Sequence, residues 1–563
     1  MNLVFSAILF CFILIGWAFF LARLLKTHIS MGLFNATAFC SLAIFLGFLG
    51  SIPQIITYVL AISGGLFALG FTIKKLYKTG RIIPSKDISF PILFFLILGV
   101  ICLLMSCDMK FRSIDDYSFW GVMSKYLFVF NSLPHDDNYI NASYLTYTPV
   151  MACIHYLAFT LARQYSQFLG YFAQGMIFMS AMMVFADYKH ISRSLVNISL
   201  MFILFSLAYG NVLARMEVDA YVAAWFFAIT WIVYKKRQDA LALIFIPLLF
   251  LSVIKEIGLL LSICVLVLYM ALERPSGMQR ARWIGLLIAL FAIKFIWKHH
   301  TSSYGFHSFS QSVSLPSALA ALNPLNTNYQ FVQYLYLKEI LFSNFDHLLK
   351  TPWLVMYGMI AGIWYYLVKN HPADKHRVNI IMGLFAIFSF IYLLMLYFLQ
   401  AIVFGVHSGG SILRILDFQR YYNMFFLPWV GLTIFIALDI NTPQYRPLSR
   451  TVTAMTIIVA MIFLAGAKIE RMRKFYRVPD LDNIHDLINQ KIPSLHNKNW
   501  AICLSNPPQP YYDLTMPLTW FYMPNRVFDP DTIAKASNAP CDINVTWQGD
   551  KLRVTLIIEK GKY

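Results

Sequence analysis

Asp115 and Asp116 stand side by side in the stretch SIDDYSFWGVMSKYLF, residues 113–128, directly behind a long apolar run. The chain has only 27 acidic residues in 563, so an adjacent pair at such a place is a candidate for proton chemistry. Two neighbouring carboxylates suit a proton-accepting task, because like charges raise the proton affinity of one of them. A second polar group follows at His135, Asp136 and Asp137. Asp219, Lys255, Glu256, Arg414, Arg420, Tyr421 and Tyr422 then stand at the edges of later apolar runs. Plainer roles are open for several of these. Asp116 can cap a helix beginning near Tyr117, and Asp219 can cap the helix behind it. Lys255 and Glu256 can form an ion pair in a turn, and Arg420 can anchor a helix at a membrane interface. Tyr and Trp at run ends fit an interfacial belt. His135–Asp137 is the one ligand-like cluster, and adjacent residues rarely converge on one ion, so no metal is expected. His299, His300 and His307 show no partner spacing and receive no role.

The elements that position these residues follow from composition. The chain is 59% hydrophobic and 13% charged, with a mean hydropathy of +0.62. Soluble domains carry about 25% charged residues, which makes this a membrane protein. The net charge of +18 falls in short basic clusters between apolar runs. That is the pattern of membrane orientation, and it argues against nucleic acid as a partner. Apolar runs of spanning character lie near 3–22, 31–48, 52–73, 88–106, 168–186, 195–213, 219–234, 240–253, 257–272, 283–298, 352–368, 378–403, 421–438 and 451–468. A spanning helix needs about 20 such residues, and some of these are shorter. The expected fold is therefore an all-α polytopic membrane protein with about fourteen crossings. The first run lacks a basic leader and a small-residue cleavage site, and reads as a retained helix.

The stretch 147–162 is apolar but short. If it does not cross, every basic cluster, from Arg23 and Lys26 through Lys235, Lys236 and Arg237 to Arg446 and Arg450, faces one side. It is then expected to lie in, or dip into, the outer leaflet. Both termini, an acidic loop within 107–165, a long loop 299–351 and the loop 404–420 then face outside. Behind the acidic pair, Phe119, Met123, Tyr126, Leu127 and Phe130 recur at helical spacing, so an amphipathic helix is expected flat in the lipid headgroup zone. Residues 1–468 form the membrane domain. The tail, 469–563, turns polar, with strand-like runs such as WAICLS and RVTLIIE, and reads as a small extracytoplasmic α/β domain. Eight cysteines show no metal-ligand spacing. Cys503 and Cys541 fall in the tail, where a disulfide is plausible in an oxidising compartment.

The order of these features resembles the GT-C membrane glycosyltransferases, which include oligosaccharide and protein mannosyl transferases and lipid A aminoarabinose transferases. DDYSFWG, with Lys125 behind it, is similar to the DE…W…K first-loop signature of bacterial members. YTPV at 147–150 resembles their entry into a surface helix. EVDAYVAAW at 217–225, SVIKEIGLLL around Lys255 and Glu256, and QRYYNMFFLPW from Gln419 resemble later elements at outer helix ends. The resemblance covers most of residues 88–440. Four apolar runs, three of them ahead of 88–106, precede the first loop where the family usually has one, position 116 is Asp where the family has Glu, and Thr148 stands for a second proline. These departures leave the sugar and the acceptor open.

The resemblance implies a multi-pass enzyme of the bacterial cytoplasmic (inner) membrane with its active site on the periplasmic face. Its donor would be a sugar on a polyprenyl phosphate, and its acceptor a cell-envelope glycan or glycolipid such as a lipopolysaccharide precursor. No cofactor is implied. The reaction inverts the anomeric centre, and a carboxylate accepts the proton of the attacking hydroxyl. The first acid of the pair, Asp115, maps to that base, with Asp116 tuning it or gripping the acceptor. Lys255, Arg414 and Arg420 are candidates for the leaving phosphate, Arg through bidentate contact and Lys as a point charge, with Tyr421 and Tyr422 adding hydroxyls. His135, Asp136, Asp137, Asp219 and Glu256 are candidates for sugar or acceptor. One alternative is an O-antigen ligase or polymerase, which relies on Arg and His in a large outer loop; 299–351 contains no Arg. Another is a lipid or solute transporter, expected to carry charges within its spans.

Overall fold

The computed structural model describes residues 2–79, 86–107, 109, 111, 115–135, 140, 144–186, 191–210, 212–236, 239–273, 277–306, 313–346, 348–404, 415, 417–441, 453–462 and 466, together with four strands between 501 and 556. The described part of residues 2–466 is helical. In chain order the helices are α1 (Leu3–Leu24), α2 (Ile29–Leu49), α3 (Pro53–Thr79), α4 (Lys86–Ser106), α5 (Gly121–Phe130), α6 (Val150–Ala162), α7 (Gln167–Met182), α8 (Ile191–Tyr209) and α9 (Asp219–Lys236). They continue as α10 (Ala240–Ile254), α11 (Gly258–Glu273), α12 (Met278–Ser303), α13 (Leu315–Leu322), α14 (Thr327–Phe342), α15 (Trp353–Asn370), α16 (Lys375–Phe398), α17 (Phe418–Asn441) and α18 (Thr453–Ile462).

Among the described residues, seven helical stretches are long and apolar enough to cross a membrane: Leu3–Leu24, Ile29–Leu49, Pro53–Lys74, Gln167–Phe185, Ile191–Tyr209, Lys375–Phe404 and Phe418–Asn441. Several of the other expected crossings are shorter apolar helices, Ala240–Ile254 and Gly258–Glu273 among them. Others are long but carry three or more charged side chains. α9 begins on Asp219 and ends on Lys235 and Lys236, while α12 carries Arg280, Arg282, Lys294 and Lys298. Large apolar side chains such as Ile8, Ile62, Leu66, Phe295 and Phe390 are exposed on the outer faces. That is the surface of a helical membrane protein, since so many exposed apolar side chains would drive a soluble chain to associate.

Backbones come close where side chains are small. A Cβ placed on Gly16 of α1 would lie 1.8 Å from the carbonyl oxygen of Gly64 in α3. Small residues at helix contacts permit such approach between membrane helices. At the centre, α9 is buried on every face from Asp219 to Tyr234 and packs on α7, α10, α11 and α17. A helix apolar all round belongs in an interior.

One end of this centre gathers basic residues. Asp439, near the C-terminus of α17, accepts from Arg193 at 2.9 Å, Lys235 at 2.7 Å and the Tyr234 hydroxyl at 3.3 Å. Arg377 stacks over the Tyr234 ring at 4.4 Å. Basic residues of α8, α9 and α16 thus share one end. Arg420 sits at the other end of α17, about 28 Å away at 1.5 Å per residue.

Two expectations about the first loop need correction. The helix behind the acidic pair presents its apolar positions to protein, not lipid: Phe119, Met123, Tyr126 and Leu127 are buried, and α5 packs on α6. α6 likewise faces protein and not lipid. Nearly all of it is buried, packed among α1, α2, α5 and α7. At 13 residues it is about 20 Å long, too short to cross by itself. The reason for both errors is that apolar composition does not distinguish a lipid-facing side chain from one facing another helix. The expected loop 299–351 is also largely helical, holding the end of α12 and all of α13 and α14.

In the tail, β1 (Ala501–Ser505), β2 (Arg526–Phe528), β3 (Ile543–Gln548) and β4 (Lys551–Leu556) form one sheet in the order β2-β1-β3-β4. β1 pairs in parallel with β2 and β3, and β3 pairs antiparallel with β4. The rest of the expected α/β domain lies outside the described residues, as does Cys541, whose pairing with Cys503 the sequence left open.

Candidate active site

Asp115 opens a single π-helical turn, Asp116–Trp120, which runs directly into α5. The turn is tightly set. A Cβ on Gly121 would lie 2.3 Å from the Phe111 ring and 2.5 Å from the Asp116 carbonyl oxygen. Such turns, with one extra residue per hydrogen-bonded loop, recur at functional sites because they re-aim a side chain. Here the two acids of the pair diverge. The Asp115 side chain remains 25% exposed, while Asp116 is fully buried.

Asp115 meets a cation from the far end of the sequence. Arg420, in the first turn of α17, donates from Nη1 to Asp115 Oδ2 at 2.5 Å and from Nε to Asp219 Oδ2 at 2.5 Å. Glu217 Oε2 lies 3.6 Å from the same Nε, and Asp417 Oδ2 lies 3.8 Å from Nη1. Asp219, only 1% exposed, also takes a short hydrogen bond from Lys255 Nζ. Lys255 stands 4.9 Å and Arg420 5.6 Å from the centre of the Tyr421 ring, within the range of cation–π attraction. Two cations are therefore surrounded by a larger number of carboxylates.

This cluster opens into a cavity of about 570 Å³. Its polar lining includes Asp115, Lys255, Glu256, Asp417, Arg420 and Tyr421. Leu396, Leu399, Val403, Phe404 and Leu260 supply much of an apolar wall. Leu399–Phe404 is itself a second π-helical segment, continuing α16. A third side is aromatic: Trp120 stacks on Tyr147 with centroids 5.7 Å apart and planes 4° from parallel, and Tyr144 lies 6.0 Å from Tyr147. The backbone that holds these tyrosines is tied down by Trp297, whose indole N–H donates to the Thr146 carbonyl at 2.7 Å, and by Thr148, which donates to the Val253 carbonyl.

Burial shapes the titration of the groups around the cluster. The Tyr147 hydroxyl is pushed well above its usual range, chiefly by burial, with Tyr421 and Glu256 adding to the shift. Burial and the Asp115 charge raise Tyr144, against the pull of Arg420. Both stay neutral hydroxyl donors. Glu217 is raised by burial, which outweighs the attraction of Arg420 and Arg215.

The sequence-derived candidates divide clearly. Asp115, Lys255, Glu256, Arg420 and Tyr421 come together on the cavity. Asp116 does not; it neither caps a helix nor reaches the cavity, because its oxygens accept from the Met216 amide at 3.2 Å and the Tyr171 hydroxyl at 3.3 Å. Asp219 is not a simple helix cap but the shared anion of Lys255 and Arg420. Lys255 accordingly pairs with Asp219, not with Glu256 in a turn. Tyr422 is withdrawn from the site, bonded to the Tyr357 and Ser389 hydroxyls at 3.1 and 2.7 Å. His135 is exposed, with its ring 6.5 Å from that of Tyr304, and does not line the cavity. Asp136, Asp137 and Arg414 lie outside the described residues. Lys125 lies over the Tyr165 ring at 5.7 Å, also off the cavity lining.

Several contributors were missed as site residues, Asp417 and Trp120 on the cavity lining among them. Glu217 precedes Asp219 by two positions in the acidic entry to α9, a signal that was visible. Tyr144 and Tyr147 precede Pro149 in the turn ahead of α6, where their spacing alone says nothing of a shared wall. Among the described residues no group of three or more His, Cys, Asp or Glu is arranged to hold a metal ion. Compared with family models and with curated proteins, the chain matches none.

Proposed function

We propose that this chain is an inverting glycosyltransferase of the GT-C type, moving one sugar from a polyprenyl-phosphate donor to a cell-envelope glycan or glycolipid. The observation that carries the reading is the meeting of Asp115, Lys255 and Arg420 at the polar end of a cavity with an apolar wall. An amphiphile with an anionic head and a hydrocarbon tail matches that division. Fourteen crossings, a periplasmic site in a bacterial inner membrane and an α/β tail complete the reading.

In the structure Arg420 is held by Asp115 and Asp219. A donor phosphate entering beside Lys255 competes with these carboxylates for the guanidinium. As Arg420 turns to the phosphate, Asp115, already the more exposed partner, becomes available to the acceptor hydroxyl. The hydroxyl oxygen attacks the anomeric carbon, its proton passes to Asp115, and the bond to the phosphate oxygen breaks. The leaving polyprenyl phosphate carries its negative charge into the field of Arg420 and Lys255. Charge stabilisation by preorganised donors of this kind is worth about a hundredfold to a thousandfold in rate per donor. Glu256 and the aromatic wall of Trp120, Tyr144 and Tyr147 remain for the sugar and acceptor.

The test uses purified protein in lipid nanodiscs and proteoliposomes with a synthetic polyprenyl-phosphate sugar and an envelope lipid extract. Glycosylated product with release of polyprenyl phosphate supports the reading. Movement of the sugar lipid across the bilayer without product would favour a transporter instead.

A further inference from the structure

His155 lies in the interior of α6, buried, and takes no direct part in the chemistry above. It nevertheless joins a closed ring of hydrogen bonds. The Gln174 side-chain amide, on α7, donates to the Met216 carbonyl at 3.1 Å. That contact turns its oxygen toward His155 Nε2, 2.7 Å away. An amide oxygen can only accept, so Nε2 carries the proton and Nδ1 is left as the acceptor for the Ser124 hydroxyl at 2.6 Å. On its other side, Met216 donates its backbone N–H to Asp116 Oδ1 at 3.2 Å. Asp116 and Ser124 belong to the same helical run, one at the start of the π turn and the other in the first turn of α5. The ring therefore closes through α6, α7 and the segment that enters α9.

The two segments clamped in this way are the ones that present carboxylates to Arg420. Asp115 adjoins Asp116, and Glu217 and Asp219 follow Met216. The backbone of Met216 contributes both its carbonyl and its amide to the ring, so a shift of Gln174 moves the α9 entry relative to the π turn. We propose that His155 is a positioning residue: through Gln174 and Met216 it sets the separation of Asp115 from the Glu217–Asp219 segment, and hence how Arg420 is shared between them. Burial holds the imidazole neutral, lowering its pKa to about 4, which keeps the donor–acceptor order of the ring fixed. The kinetic consequence rests on the transferase reading; the clamp itself does not.

The experiment compares His155→Leu and His155→Gln in full-length protein by amide hydrogen exchange and by transfer kinetics. Leu removes both ring contacts, whereas Gln retains a donor toward Gln174. In His155→Leu, protection is expected to fall in peptides covering 115–121 and 212–219 while α10 and α11 keep theirs. The kcat for transfer should fall by roughly tenfold or more with KM little changed, since misplacement by an ångström costs up to about a hundredfold. His155→Gln should restore most of both. Unchanged protection at Met216 in His155→Leu would overturn the proposal. So would loss of protection spread equally over α10 and α11, which would make His155 a packing residue only. If the unaltered protein transfers no sugar, the glycosyltransferase reading fails, and the exchange pattern alone decides whether the clamp exists.

Discussion

The two ends of the α9–α17 pair use the same materials to opposite purpose. At one end one acid, Asp439, is held by Arg193, Lys235 and Tyr234. At the other end Arg420 is shared by Asp115 and Asp219, with Glu217 and Asp417 close by. Surplus cations around one carboxylate make a fixed tie between α8, α9 and α17. Surplus carboxylates around one guanidinium make a contest, and the contestant nearest the cavity can be displaced by an anionic ligand. The difference teaches that an ion pair alone does not mark a site. What marks it is excess of one sign beside a cavity with somewhere for the displaced partner to act.

That contrast can be broken by exchanging charge at each end. Arg420→Lys retains the charge but loses the forked geometry, and should lower kcat for transfer by about a hundredfold or more, the cost of one lost transition-state donor. Asp439→Asn, measured in the same assay, should leave kcat within about threefold, because its contacts lie about 28 Å away along α17. Equal losses in the two variants would erase the distinction between the ends.

Stability sharpens the comparison further. Asp219 is almost wholly buried between two cations. Asp219→Asn should therefore destabilise the protein by about 3 kcal/mol in chemical denaturation, as removal of one member of a buried ion pair typically does. A variant as stable as the parent would mean that neighbouring carboxylates fully replace it.

The smallest effect is expected at Glu217. Its pKa is raised by burial, so its protonated form is favoured in the fold relative to the unfolded chain. Its stabilising contribution is then present below the ordinary glutamate range, near pH 4.3, and is lost as pH rises through the folded value. Glu217→Gln should melt no lower than the parent at neutral pH, with any advantage shrinking as the pH approaches 4. A variant that melts clearly lower at pH 7 would show that the attraction to Arg420 outweighs burial.

Much of the helical scaffold was legible because its signal is local. Runs such as 3–22 and 31–48 coincide closely with α1 and α2, and the helical spacing after Asp116 is that of α5. The choice of Asp115 over its neighbour rested on family resemblance; in the structure the π turn leaves Asp115 on the cavity and buries Asp116. The site's wiring was not legible. Asp219 finds Lys255 36 residues and Arg420 201 residues along the chain, and nothing in local sequence records such a partnership. His155, in a run of apolar residues, gave no sign that Ser124 and Gln174 would converge on it. Likewise, α6 and the apolar positions of α5 were assigned to lipid because composition cannot tell a hydrocarbon tail from a packed leucine.

The most direct measurement is single-turnover transfer from a synthetic polyprenyl-phosphate sugar by purified Asp115→Asn protein whose folding is verified by thermal unfolding. Loss of the proton acceptor should slow the chemical step by about a hundredfold to ten-thousandfold while the donor lipid still binds. Transfer at close to the parental rate would contradict the assignment of Asp115 as the base, and with it the central claim.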